Sequence, residues 1–136
     1  MASENYSIQC EKRVALVHIR GSWSESTTRR FVRDFKQQIT PLLCGNWAQI
    51  VFFDDWQFSS PDNEQAITDL LNWSIVNGLT HSARIFKADP LKSYQLNRMM
   101  HENDYSMNIR HFHCEKEGGE WLAKHGFQVN PSLLTV

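Results

Sequence analysis

The sequence predicts an α/β fold: one domain built on a mixed, mostly parallel five-stranded sheet with helices on its faces. Three observations predict it. Short aliphatic and β-branched runs alternate with amphipathic stretches in the order β-β-α-β-α-β-α-β-α. One run, Ala48 to Phe53, is apolar at every position but Gln49, the pattern of a central strand covered on both sides. The first two runs lie only two residues apart, so they form a hairpin and add one antiparallel neighbour to strands otherwise joined by helical crossovers.

Tyr6 to Cys10 alternates weakly and predicts the first strand. After a tight link at Glu11-Lys12, Arg13 to Arg20 is rich in Val, Leu and Ile and supplies the second, ending at Gly21. Ser22 to Glu25 opens a helix, with the Ser24 hydroxyl available as N-cap to an orphan backbone N–H. Phe31, Phe35, Ile39 and Leu42 recur at spacings of four, four and three and make one apolar stripe. Arg29, Arg30, Arg33 and Lys36 lie off that stripe and form a basic outer face. Pro41 and Gly45 close the region, and Ala48 to Phe53 follows as the third strand.

A loop, Asp54 to Phe58, then leads to a second helix start. Ser60 as N-cap, Pro61 at the first helical position, and Asp62 and Glu64 in the first turn all suit the positive end of a helix. Ile67, Leu70, Leu71 and Ser74 continue one face, and Asn77-Gly78 ends it. Ala83 to Phe86 is the fourth strand. Asp89-Pro90 starts a third helix carrying Leu91, Leu96, Met99 and Met100, which dissolves near Asn103. Asn108 to Phe112 is the fifth strand. Glu115 to Lys124 is the last helix, packed by Trp121 and Leu122 and stopped by Gly126. A single domain is expected over 1–136, with a core of about 6–126 and a short C-terminal tail at 127–136.

Bulk composition narrows the function. At 136 residues, 41% hydrophobic and 21% charged, the chain can bury a core without staples. A net charge of −1 offers no overall electrostatic footprint for nucleic acid, whose phosphates normally supply most of the affinity. Cys10, Cys44 and Cys114 are odd in number and widely spaced, which fits buried or half-buried free thiols in a reducing compartment. The start Met1-Ala2-Ser3-Glu4-Asn5 has neither the basic nor the apolar region of a signal peptide, and no apolar run approaches a membrane span. A cytoplasmic location without membrane insertion is expected.

The order of elements, with the ending Ile109-Arg110-His111-Phe112-His113, Glu115-Lys116-Glu117 and Trp121-Leu122, resembles the STAS-like domains. These share the anti-anti-sigma-factor-like fold and are grouped with Sec14-type lipid-binding domains. Tyr94-Gln95-Leu96-Asn97-Arg98 is similar in character. The resemblance covers about residues 6 to 126. It implies a non-enzymatic regulatory or protein-interaction module, partnered by another protein or by a second copy in a homodimer. The Sec14 kinship implies the alternative, a binder of a small apolar or lipid-like ligand. Signalling members carry a phospho-acceptor serine, preceded by Asp and followed by Ser-Gly, after the third strand. Here Phe58-Ser59-Ser60-Pro61 stands at that place, with Phe for the Asp and Pro for the Gly.

The candidate positions are therefore few. Trp56, Phe58, Ser59, Ser60 and Asp62 form the expected interaction or phospho-acceptor segment. Ser60 also reads simply as a helix cap, and Asp54, Asp55, Asp62 and Glu64 would repel an added phosphate. Asp54-Asp55, at the carboxyl end of the third strand, has no Gly-rich phosphate loop beside it. On a strand His111 and His113 share a face, but no second Cys/His pair stands at zinc spacing. No catalytic residue, metal or cofactor is expected. Five Trp and eight Phe are mostly core, although Trp23 and Trp56-Gln57-Phe58 fall in expected loops and could line a pocket or patch.

Overall fold

The computed structural model describes residues 5–58, 61–86, 108–112 and 114–129, including their side chains except those of 54–58, 61 and 86. Five strands form one sheet in the order β1 (Tyr6–Glu11), β2 (Val14–Trp23), β3 (Trp47–Phe58), β4 (Leu79–Phe86), β5 (Asn108–Phe112). β1 pairs antiparallel with β2, and every other pairing is parallel. The expected mixed, mostly parallel sheet is thus the one observed. Among the described residues three α-helices accompany it: α1 (Glu25–Ile39), α2 (Pro61–Val76) and α3 (Glu115–Lys124). The helix expected after Asp89-Pro90 lies outside the described residues.

Two crossovers of one hand that step to successive strands place their helices on the same face of a sheet. Accordingly α1 and α2 share one face. Their Phe31, Phe35, Ile39 and Leu70 bury Tyr6, Ile8, Val17, Ile19 and Val51. α3 covers the other, where Trp121 and Leu122 pack on Leu16, Ala48, Ile50, Ala83 and Ile85. The strand between these layers is dry on both sides: Ala48 and Ile50 are 0% exposed on the α3 face, and Gln49 and Val51 are 7% and 6% exposed on the other.

Local chemistry sets the boundaries. Ser24 is the N-cap of α1, its Oγ accepting from Thr27 N at 3.2 Å. The stripe Phe31, Phe35, Ile39 and Leu42 is buried throughout. α2 ends at Val76, before Gly78 in the left-handed region at φ 107°. A Cβ on Gly78 would sit 2.6 Å from the Gly45 carbonyl oxygen, so only glycine fits where the chain turns back into the sheet. Trp47, at 0% exposure, closes this corner by donating its indole N–H to Asn77 O at 3.0 Å.

Several expectations need correction. The hairpin turn is Lys12-Arg13 rather than Glu11-Lys12, with Lys12 at φ 54°. Asp54 to Phe58 is not a loop but the continuation of β3. It pairs with Arg20 and with Gly21 to Trp23, and Asp55 is the extra residue of a bulge. β2 accordingly runs on to Trp23, whose 0% exposure between Tyr6 and Phe31 removes it from any surface patch. β4 begins at Leu79, four residues earlier than its apolar run suggests, because Leu79, His81 and Ser82 pair with Trp47, Ala48 and Gln49 of β3, and His81 and Ser82 also with β5, Thr80 being the extra residue at a register shift. Cys10, Cys44 and Cys114 are free thiols, but Cys44 is exposed. Beyond Gly126, Phe127 and Val129 pack partly against the α3 cluster.

Candidate functional site

The face shared by α1 and α2 holds a partly open cavity of about 70 Å³. Its floor is the sheet at Val17, Ile19 and Val51, and its walls are Phe31 and Phe35 of α1 with Ile67, Leu70 and Leu71 of α2. The α2 residues are the apolar face expected from their spacing, with Ser74 among them.

Polar atoms enter this apolar space at defined points. The Gln49 side chain donates Nε2–H to Ser82 Oγ at 3.0 Å, a buried bond between neighbouring strands. Ser74 Oγ donates to Leu70 O at 2.8 Å and Thr68 Oγ1 to Glu64 O at 3.0 Å, so each hydroxyl spends its proton on the α2 backbone and keeps acceptor lone pairs. Arg84 of β4 lines the cavity at 6% exposure. Its guanidinium stays charged at any accessible pH, and burying that charge is costly unless it is compensated. Arg84 takes part in other interactions of the fold. With five N–H donors it can keep a structural partner and still offer hydrogen bonds to the cavity. His111, opposite Arg84 on β5, titrates below the usual imidazole range because of burial and the Arg84 charge.

The mouth of α2 is tied down by a residue that sequence reasoning passed over. Asn63 is 1% exposed and donates Nδ2–H to Trp23 O at 3.1 Å, linking the first turn of α2 to the end of β2. Gln49 and Arg84 were also visible in the sequence, each as the polar residue interrupting an apolar strand. That interruption is the signal pointing to a lined cavity.

The sequence candidates are not gathered at this cavity. Trp56 and Phe58 belong to the extended end of β3, Asp62 is exposed at the start of α2, and Ser59 and Ser60 lie outside the described residues. His111 belongs to β5 and His113 lies outside the described residues. Among the described residues no three His, Cys, Asp or Glu side chains gather as a metal site would need. No described helix is long and apolar enough to cross a membrane.

A second polar cluster sits on the α3 face. His81 lies with its ring centroid 4.5 Å from that of His125 and 5.5 Å from Trp121. Its Nδ1 is 3.0 Å from Thr80 Oγ1 and its Nε2 3.3 Å from Asn108 Nδ2. Both ring nitrogens are therefore engaged, and burial together with His125 holds the imidazole below its usual pKa. Neither a known family model nor a curated protein matches this sequence.

Proposed function

We propose that this chain is a non-enzymatic, STAS-like binding module that takes the compact apolar end of a small ligand into the cavity beneath α2, with the ligand's anionic end toward Arg84. One observation carries this reading: an apolar space between helix and sheet is bordered by a buried guanidinium and by hydroxyls whose protons are already used. Pockets of that composition bind by apolar burial and orient by a few polar groups. The volume sets the class. About 70 Å³ is roughly half of the ~150 Å³ that holds a benzene, so a short branched chain fits and a long acyl tail does not.

The test is binding of small carboxylates, isovalerate against hexadecanoate, followed by methyl NMR shifts at Val17, Val51 and Leu71 and by native mass spectrometry. Saturable shifts with isovalerate, abolished in Ile67→Trp and weakened in Arg84→Gln, are expected. No shift with any short-chain acid, or equal shifts in Ile67→Trp, would refute the proposal.

The family resemblance supports a second reading, association with a protein or a second copy through Trp56 to Asp62. The extension of β3 to Phe58 favours it by carrying this segment to the carboxyl end of the sheet, where open α/β folds meet their ligands. Sedimentation of the wild type and of Trp56→Ala tests it: a dimer that Trp56→Ala dissociates is expected, and a wild-type monomer with no partner would sink it.

A further inference from the structure

The basic side of α1 has no role in the cavity. Arg29, Arg30, Arg33 and Lys36 are all exposed within two turns, on a chain whose net charge is −1. Arg33 pairs with the buried Asp34 at 3.3 Å, but the partners of Arg29 and Lys36 neutralise them only weakly. Arg29 Nη1 lies 3.4 Å from Glu25 Oε1 with both side chains over 70% exposed, a pair that water and salt screen. Lys36 Nζ sits 5.1 Å above the Trp73 ring, a contact that leaves its charge intact.

This band borders a concave feature. Between α1 and α2 runs a groove of about 270 Å³ lined by Arg29, Val32, Lys36, Ala66, Asp69 and Leu70. Val32, Ala66 and Leu70 give it an apolar floor, and Arg29 and Lys36 stand along one wall. The one carboxylate in the groove, Asp69, already accepts a hydrogen bond from Gln65 Nε2 at 2.8 Å.

We propose that this groove docks an acidic amphipathic helix of a partner protein. The dimensions match the mode: Arg29 and Lys36 are seven residues apart on α1, about 10 Å along its axis, which is two turns of a facing helix. Carboxylates at the first and eighth positions of that helix face the two cations, and leucines at the fourth and fifth fill the floor between them. A flat anionic membrane is the poorer partner. It would need apolar side chains projecting outward, and the exposed large apolar residue among the described ones is Val76, outside the groove.

A fluorescent helical peptide with Glu at the first and eighth positions and Leu at the fourth and fifth is titrated with the full chain and read by anisotropy. Saturable binding is expected, weakened at least tenfold in Arg29→Glu/Lys36→Glu and in Val32→Asp, and retained in Arg29→Lys/Lys36→Arg. Far-UV circular dichroism confirms that each variant folds. Equal binding of a peptide with the same charge but displaced leucines would overturn the proposal, because charge alone would then explain it. So would binding to phosphatidylserine vesicles with no binding of the peptide, or no binding to either.

Discussion

Tyr6 and Asp34 show how one buried pair ties an edge strand to a helix. The phenol donates to Asp34 Oδ2 at 2.5 Å, and Arg33 Nε donates to Oδ1 at 3.3 Å, while Asp34 is only 5% exposed. Removing the phenol leaves a buried carboxylate short of a donor, so Tyr6→Phe should cost about 1–3 kcal/mol in urea denaturation at pH 7. Burial and the Asp34 hydrogen bond push Tyr6 up to about 12 from the usual 10.0. Because the folded state holds this proton more tightly than the unfolded chain does, the stabilisation is complete below pH 10. It disappears as pH rises through about 12. The gap between wild type and Tyr6→Phe should therefore close over that window. A gap that stays constant to pH 12 would show that the hydroxyl is not the coupled group. Nothing in the sequence marks this pair, since Asp34 reads as one more charge among the basic residues of α1 until the helix is set against β1.

At the scale of elements, legibility followed periodicity. β5 and α3 have the bounds that their patterns predict, and α1 has its expected cap and stripe. The polar ends of β2, β3 and β4 were missed because pairing to neighbouring strands, not side-chain pattern, makes them strands. The cavity was half legible: the α2 face could be read, but the meeting of Gln49 and Arg84 depends on register. α3 illustrates a close approach. A Cβ on Gly118 would lie 2.6 Å from Ile85 Cδ1, so Gly118→Ala must displace that terminal methyl and should realise less than the helix-propensity gain of about 1 kcal/mol. In an Ile85→Val background, which deletes that methyl, the same change should realise the gain in full. Equal effects in both backgrounds would mean that the contact is irrelevant. α3 is also acid-sensitive at its His81–His125 end. His81 is held below its usual pKa, so the folded state resists a proton that the unfolded chain accepts. His111 acts in the same direction. Stability should be flat above about pH 6.5 and fall as pH drops below it, and His81→Phe should reduce the fall. Urea midpoints at pH 7.5 and pH 5 check this; an identical fall in His81→Phe would assign the effect elsewhere.

Among the described residues, the unequal covering of the two sheet faces should dictate where the fold opens first. β3 is flanked by β2 and β4, and its Ala48 to Phe52 core is buried on both sides, against α1 and α2 on one and α3 on the other. α3 has ten residues, two of them glycines, each costing about 1 kcal/mol relative to alanine, and buries chiefly Trp121 and Leu122. β5 beside it has no fully buried residue. Regions with few buried apolar contacts open at lower free energy than the global transition. Amide exchange should therefore separate two groups, with α3 and β5 exchanging through a smaller opening and β2 and β3 through global unfolding. Ile50→Ala, which empties space at 0% exposure under α3, should lower global stability by about 2–5 kcal/mol and drive the two groups together. If α3 and β3 amides in the wild type already exchange with one common free energy across a denaturant series, the layers form a single cooperative unit and the α3 layer is not the weaker one.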